Sequence, residues 1–157
     1  MNLYLFFRNS FKKPGFLISL LLFAQVCGVI AQDNRKIDSL RNVLSVQTGK
    51  KRVNTLNRLS WEFMYSDSRL ALHYAKRAFS EAREAKYARG EYVADNLTGI
   101  AYDVLSKYDS ALIHYHAAYT GSLHAGDTQS IASNLTNIAL AHWHTGNLKE
   151  ALEYNFA

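Results

Sequence analysis

Asp109-Ser-Ala-Leu-Ile-His-Tyr115 decides how this chain is read, because the chain writes it three times. The earlier copy is Arg69-Leu-Ala-Leu-His-Tyr74 and the later one Lys149-Glu-Ala-Leu-Glu-Tyr154. Each has Ala-Leu near its start and Tyr a few residues on, and each follows a turn built from Ser, Asp, Gly or Asn. Ala71, Ala111 and Ala151 stand 40 residues apart. A fixed period of this size means one supersecondary unit stacked on copies of itself, each burying what its neighbour leaves bare.

The surrounding pattern is helical. Between Gln32 and Ala157 no alternating apolar run is long enough for a strand, and apolar residues recur at three and four instead. A lead helix carries Ile37, Leu40, Val43 and Leu44 and stops near Gly49. The next carries Val53, Leu56, Leu59, Ser60 and Phe63 and ends at Ser66-Asp67-Ser68, where Asp67 or Ser68 caps its successor. That third helix carries Leu70, Ala71, Tyr74, Ala78 and Phe79 into the Tyr87–Gly90 region. The pair recurs from Glu91 to Leu105 and from Asp109 to Leu123. It recurs again from Thr128 to Thr145, capped by Asp127 or Thr128, and from Leu148 onward. Gly49, Gly90, Gly126 and Gly146 are expected where helices stop. Gly121 falls inside a helix, at a cost of about 1 kcal/mol relative to Ala.

The 157 residues make room for one domain. The formal charge of +5 is mostly an N-terminal property: Arg8, Lys12 and Lys13 face no acid in the first 31 residues, and the rest is close to balance. Nucleic-acid binding would want Lys and Arg clustered on one face, and no cluster is seen. The basic start, the apolar run Phe16–Ile30 and the small residues ending at Ala31 read as an export signal cleaved before Gln32, residues 1–31. An uncleaved anchor is the alternative, although the run is short of the roughly 20 apolar residues a span needs. Cys27, the single cysteine, lies in that run behind a poor lipidation context. Removal of the signal leaves no thiol for disulfides, nucleophiles or metal sites.

The segments resemble tetratricopeptide repeats, whose pattern is W-x2-L-G-x2-Y, then A-x3-F. The matching residues are Gly99-x2-Tyr102, Ala111-x3-Tyr115 and Ala118 in the second copy. In the third they are Ile138-Ala139-x2-His142, Gly146 and Ala151, and in the first Leu59-Ser60-x2-Phe63, Ala71 and Ala78. Small residues let two helices approach while larger ones fill the gaps beside them. The chain departs from the pattern in lacking its Trp and closing Pro, in Thr98, and in a 40-residue period. The first repeat is also one residue short: Ser60 and Ala71 are 11 apart, where Gly99 and Ala111 are 12. The resemblance implies an all-α, right-handed α-α superhelix: a lead helix (34–48) and three hairpins at 51–87, 90–125 and 128–157, the third incomplete. It is similar to exported N-terminal repeat regions of Bacteroidota signalling proteins, histidine kinases or transcriptional regulators. That implies a non-catalytic, periplasmic or envelope module that binds protein or peptide. A self-contained adaptor that assembles with a partner or with itself is the alternative. Leu152 and Phe156 have no evident cover, so the array is expected to continue past Ala157.

Chemistry is sparse elsewhere. His114 and His116, like His142 and His144, are two apart and so on opposite faces of a helix. They are expected at the solvated rim, and no metal or cofactor is expected. Glu81 and Glu84, with Arg77, Arg83 and Lys86, read as an ion-pair face. Asn96-Leu-Thr98 and Asn134-Leu-Thr136 match a glycosylation sequon but lie within helices. What remains is the concave face that first helices line in such arrays. By helical spacing it takes Asn54, Asn57, Trp61 and Tyr65; then Asn96, Ile100 and Asp103; then Thr136, Leu140, Trp143 and His144. Asn can clamp a peptide backbone, and Trp and Tyr give contact area at little entropic cost. The mapping places no Lys or Arg there, so the carboxylate clamp of some family members is not expected.

Overall fold

The computed structural model describes residues 35–156. The chain divides into two compact units, Met1–Ser39 and Leu40–Ala157. Of the first, only residues 35–39 are described, and they are helical. The expected export signal lies outside the described residues. Among the described residues no helix is long and apolar enough to cross a membrane.

The described residues form seven helices and no strand, the all-α architecture expected. They are α1 over residues 35–46, α2 (Gly49–Phe63), α3 (Ser68–Glu84), α4 (Ala88–Val104), α5 (Tyr108–Ala125), α6 (Thr128–His144) and α7 (Leu148–Asn155). Asp67 caps α3 by accepting the Leu70 amide at 3.0 Å, and Asp127 caps α6 by accepting that of Ser130 at 3.1 Å.

One turn joins most of these helices. Lys86, Ser106, Gly126 and Gly146, 20 residues apart in the sequence, adopt φ of 49°, 57°, 66° and 80°. The next amide then reaches back five residues: Tyr87 to Ala82, Lys107 to Tyr102, Asp127 to Ser122 and Asn147 to His142, at 2.8–3.1 Å. This is the Schellman closure, which satisfies carbonyls the helix end leaves free. The turn inside a hairpin and the turn between hairpins are therefore the same device. The backbone repeats every 20 residues, and only the side chains double that to 40. Lys86 and Ser106 take the left-handed conformation without glycine's freedom, at roughly 1–3 kcal/mol each.

Gly90 was expected at a helix stop and is not at one; it lies in the first turn of α4. A Cβ there would stand 2.6 Å from the Tyr87 ring and 2.7 Å from Val53. Close approach explains Gly121 as well, since a Cβ would meet that of Tyr92 at 2.8 Å. Its propensity cost is offset by letting α5 lie against α4.

The α2–α3 turn differs. The Asp67 amide reaches back four residues, to Phe63 at 2.8 Å, and Met64 stays right-handed. The one-residue shortfall of the first repeat falls across this turn, between Ser60 and Ala71.

From α2 onward, successive helices pack as antiparallel neighbours. First helices also touch one another directly, α2 with α4 and α4 with α6, so their outward stripes form one continuous face. The core is small residues with large ones seated between them. Ala71, Ala75, Leu97 and Ala101 close around Met64, and Ala111, Ile138 and Ala141 around Tyr115.

Candidate binding groove

Two hollows follow the face made by the first helices. One, of about 330 Å³, is lined by Asn54, Asn57, Arg58, Tyr87, Arg89 and Val93. The other, of about 240 Å³, is lined by Arg89, Tyr92, Val93, Asn96, Gln129, Ser130, Ser133 and Asn134. Arg89 and Val93 belong to both, so the hollows join into one groove across α2, α4 and α6.

Helical spacing explains who lines it. Asn54, Arg58 and Trp61 step by three or four along α2, with Tyr65 following in the turn after it, as do Arg89, Val93, Asn96 and Ile100 along α4 and Gln129, Ser133, Thr136 and Leu140 along α6. Each stripe begins polar or basic and ends apolar. Because first helices run parallel, these ends align into two edges. One edge carries arginines and amides, and the other carries exposed Trp61, Tyr65, Val104, Leu140 and Trp143.

An asparagine from each first helix runs beneath the polar edge. Asn96 Nδ2 donates to Asn134 Oδ1 at 2.6 Å, and Asn134 Nδ2 donates to Ser122 Oγ at 3.3 Å. Asn134 is buried and Asn96 half-buried, so the two sequon matches are an internal polar rung. Asn57 is only 7% exposed; its amide donates to the Gly90 carbonyl at 3.5 Å, and its Oδ1 has no partner. It forms part of the floor of the groove, with that oxygen itself buried. At the far wall, Tyr92 donates to Asp127 Oδ2 at 2.8 Å. Burial, then Asp127, pushes the Tyr92 phenol up, while the hydrogen bonds from Tyr92 and Ser130 hold Asp127 below the usual carboxylate range.

The expected site residues divide. Asn54, Asn57 and Asn96 come together in the amide–arginine groove. Trp61 and Tyr65 stand on the other edge, ring centroids 6.5 Å apart and edge to face. Ile100 is drawn into both core clusters, and Asp103 accepts the Tyr115 hydroxyl at 3.4 Å; burial, then Asp103, pushes that phenol up. Thr136 returns its hydroxyl to Ala132. Thr136, Leu140 and Trp143 line a separate apolar groove between α6 and α7, and His144 stacks on Tyr108 at 5.0 Å.

The expectation of no basic residue on this face is corrected. Arg58 and Arg89 both line the groove, and neither is held by an ion pair among the described residues. Stepping four from Asn54 reaches Arg58, and stepping back seven from Asn96 reaches Arg89, so the signal was present. Mapping outward from the small packing residues missed it.

The histidines need correcting too. His73, His124 and His144 are exposed, but His114, His116 and His142 are tucked in. His114 Nδ1 lies 3.0 Å from Asp95 Oδ1. Among the described residues no group of three His, Cys, Asp or Glu could hold a metal ion. Glu81 pairs with Arg77 at 3.0 Å and, across helices, with Arg52 at 2.9 Å.

No family model matches the chain, and no curated protein does. Among solved structures it resembles aspartyl phosphate phosphatase F from Bacillus subtilis, with a TM-score of 0.69 and 17% sequence identity. The match covers 78% of this chain and 36% of that one, so the chain spans little more than a third of that protein's length. Identity this low speaks for the fold alone, a tetratricopeptide-like helical repeat.

Proposed function

We propose that this chain is a non-catalytic module that binds a protein or peptide along the face of its first helices. The observation that carries the reading is the two-edged groove: amides and two arginines face an aromatic and aliphatic edge. Amides hold a backbone by donating and accepting at once, guanidiniums hold carboxylates, and neither group shuttles protons at neutral pH. The partner is a segment with acidic residues on one side and apolar residues on the other. Fluorescence anisotropy with a labelled peptide of alternating Glu and Leu should show binding that weakens with salt. Arg58→Glu with Arg89→Glu should cost at least about tenfold in affinity with helical circular dichroism unchanged. Equal binding of a Lys/Leu peptide would sink the reading.

We further propose that the module is exported and forms the sensory or scaffolding part of a longer envelope signalling protein. The support is the basic-then-apolar start of the sequence and its resemblance to exported repeat regions. Intact-mass analysis of the expressed chain should find a product beginning at Gln32; an unprocessed cytoplasmic product would refute export. The second reading is an adaptor that assembles with a partner or with itself, favoured by the apolar groove between α6 and α7.

A further inference from the structure

Beyond residue 31 the chain is near charge balance only as a whole. Residues 35–89 hold 13 Lys and Arg against 5 Asp and Glu, and residues 90–157 hold 2 against 7. The fold gathers part of that basic half at one end of the first hairpin, where α2 begins, α3 ends and α4 begins. Contacts fix the gathering. Lys50 lies over the Tyr87 ring at 5.4 Å, Arg52 pairs with Glu81 at 2.9 Å, and Gly49 and Arg52 share a hollow with Glu84 and Ala85. Lys50, Lys51, Arg83, Lys86 and Arg89 are all exposed there, and none is held in an ion pair among the described residues. Of the acids at this end, Glu81 is shared by Arg52 and Arg77, which leaves Glu84 and Glu91.

Repetition of the fold does not ask for these cations. Forty residues on, Arg83, Lys86 and Arg89 become Leu123, Gly126 and Gln129. Lys86 even takes the left-handed turn position that glycine fills at 126 and 146. The same end also carries an apolar tip: Val46, the last residue of α1 and four before Lys50, is 81% exposed.

We infer that this end of the first hairpin docks on the surface of an anionic phospholipid bilayer. A charge asymmetry between two halves of a chain points toward an anionic surface. The cations would meet headgroup phosphates, and Val46 the acyl boundary beneath them. Nucleic acid is the poorer occupant. Single strands want free aromatic faces to stack on, whereas Tyr87 and Phe79 already carry Lys50 and Arg83, and an aliphatic tip gains nothing from a sugar-phosphate backbone. Lys51, Arg83 and Lys86 line neither hollow of the first-helix groove, so the inference is independent of the peptide reading and survives its failure.

The probe is a pair of vesicle preparations, phosphatidylcholine alone and phosphatidylcholine with roughly a third phosphatidylglycerol, floated with the full chain. The anionic vesicles should bind at least about tenfold more tightly, and the gap should close as salt is raised. Any attraction of the apolar run Phe16–Ile30 is common to both vesicles. Lys51→Glu with Lys86→Asn should narrow the gap at least about fivefold with helical circular dichroism unchanged. Lys51 is exposed in the first turn of α2, where an acid is tolerated, and asparagine suits the left-handed backbone at 86. Val46→Asp should weaken binding to the anionic vesicles at least about threefold. Equal binding to both vesicles, or a preference that the Lys51 and Lys86 variant keeps in full, would overturn the inference. A DNA duplex that displaces the chain from the vesicles at equal phosphate concentration would overturn it also, by giving the patch to nucleic acid.

Discussion

The second and third hairpins carry the same Ala-Leu pair at one register and live in different surroundings. Ala111, Leu112 and Tyr115 of α5 are covered by α6, and Tyr115 is 1% exposed. Among the described residues no further helix follows their counterparts Ala151, Leu152 and Asn155 of α7, and Leu152 is 59% exposed. In a stacked array the burial of a residue is set by the neighbour it receives as much as by its own helix. The same Ala-Leu pair is therefore packed under a helix in one place and lines an apolar groove in the other.

Substitution should separate the two most sharply at their large side chains. Tyr115→Ala empties a site where Gly99 leaves room for the ring and for nothing more, since a Cβ on Gly99 would meet that ring at 2.5 Å. It also leaves Asp103 without its donor. The expected loss is about 3–5 kcal/mol, measured by urea denaturation followed by circular dichroism. Leu152→Ala should fall within about 0.5 kcal/mol. A cost for Leu152 approaching that of Tyr115 would mean that the third groove is already filled.

The same contrast explains what the sequence could and could not tell. Helices were legible because period and turn chemistry are local: Ala71, Ala111 and Ala151 in register, Asp67 and Asp127 at caps. Asn54, Asn96, Leu140 and Trp143 were placed on the inner face by helical spacing alone. Asn57 was placed on the same face, but its burial was not legible, because it depends on Gly90 arriving from another helix. The split of the expected site into a polar groove and an apolar one likewise depends on where α7 lies. Lys86 and Ser106 hid the common turn, since neither is a residue that announces positive φ. Arg58 and Arg89 were legible and missed.

The smallest expected effect lies where the two hairpins meet. Tyr154 of α7 stacks on His142 of α6, centroids 5.6 Å apart and 5° from parallel, and meets the edge of His116 of α5 at 5.7 Å. Burial, and then the charge of His142, lower the pKa of His116 from its ordinary 6.5. The fold thus favours neutral imidazole at His116, and the unfolded chain takes up the proton first as pH falls. The contribution to stability is complete above about pH 6.5, is lost below it until the lowered folded value is passed, and is then flat. Amides of α7 should therefore exchange faster, relative to those of α5, at pH 5.5 than at pH 7.5 once intrinsic exchange rates are divided out. His116→Gln should flatten that ratio while leaving α5 protected. If α7 and α5 lose protection together, the Tyr154 contact is no local hinge and the third hairpin is as tightly held as the second.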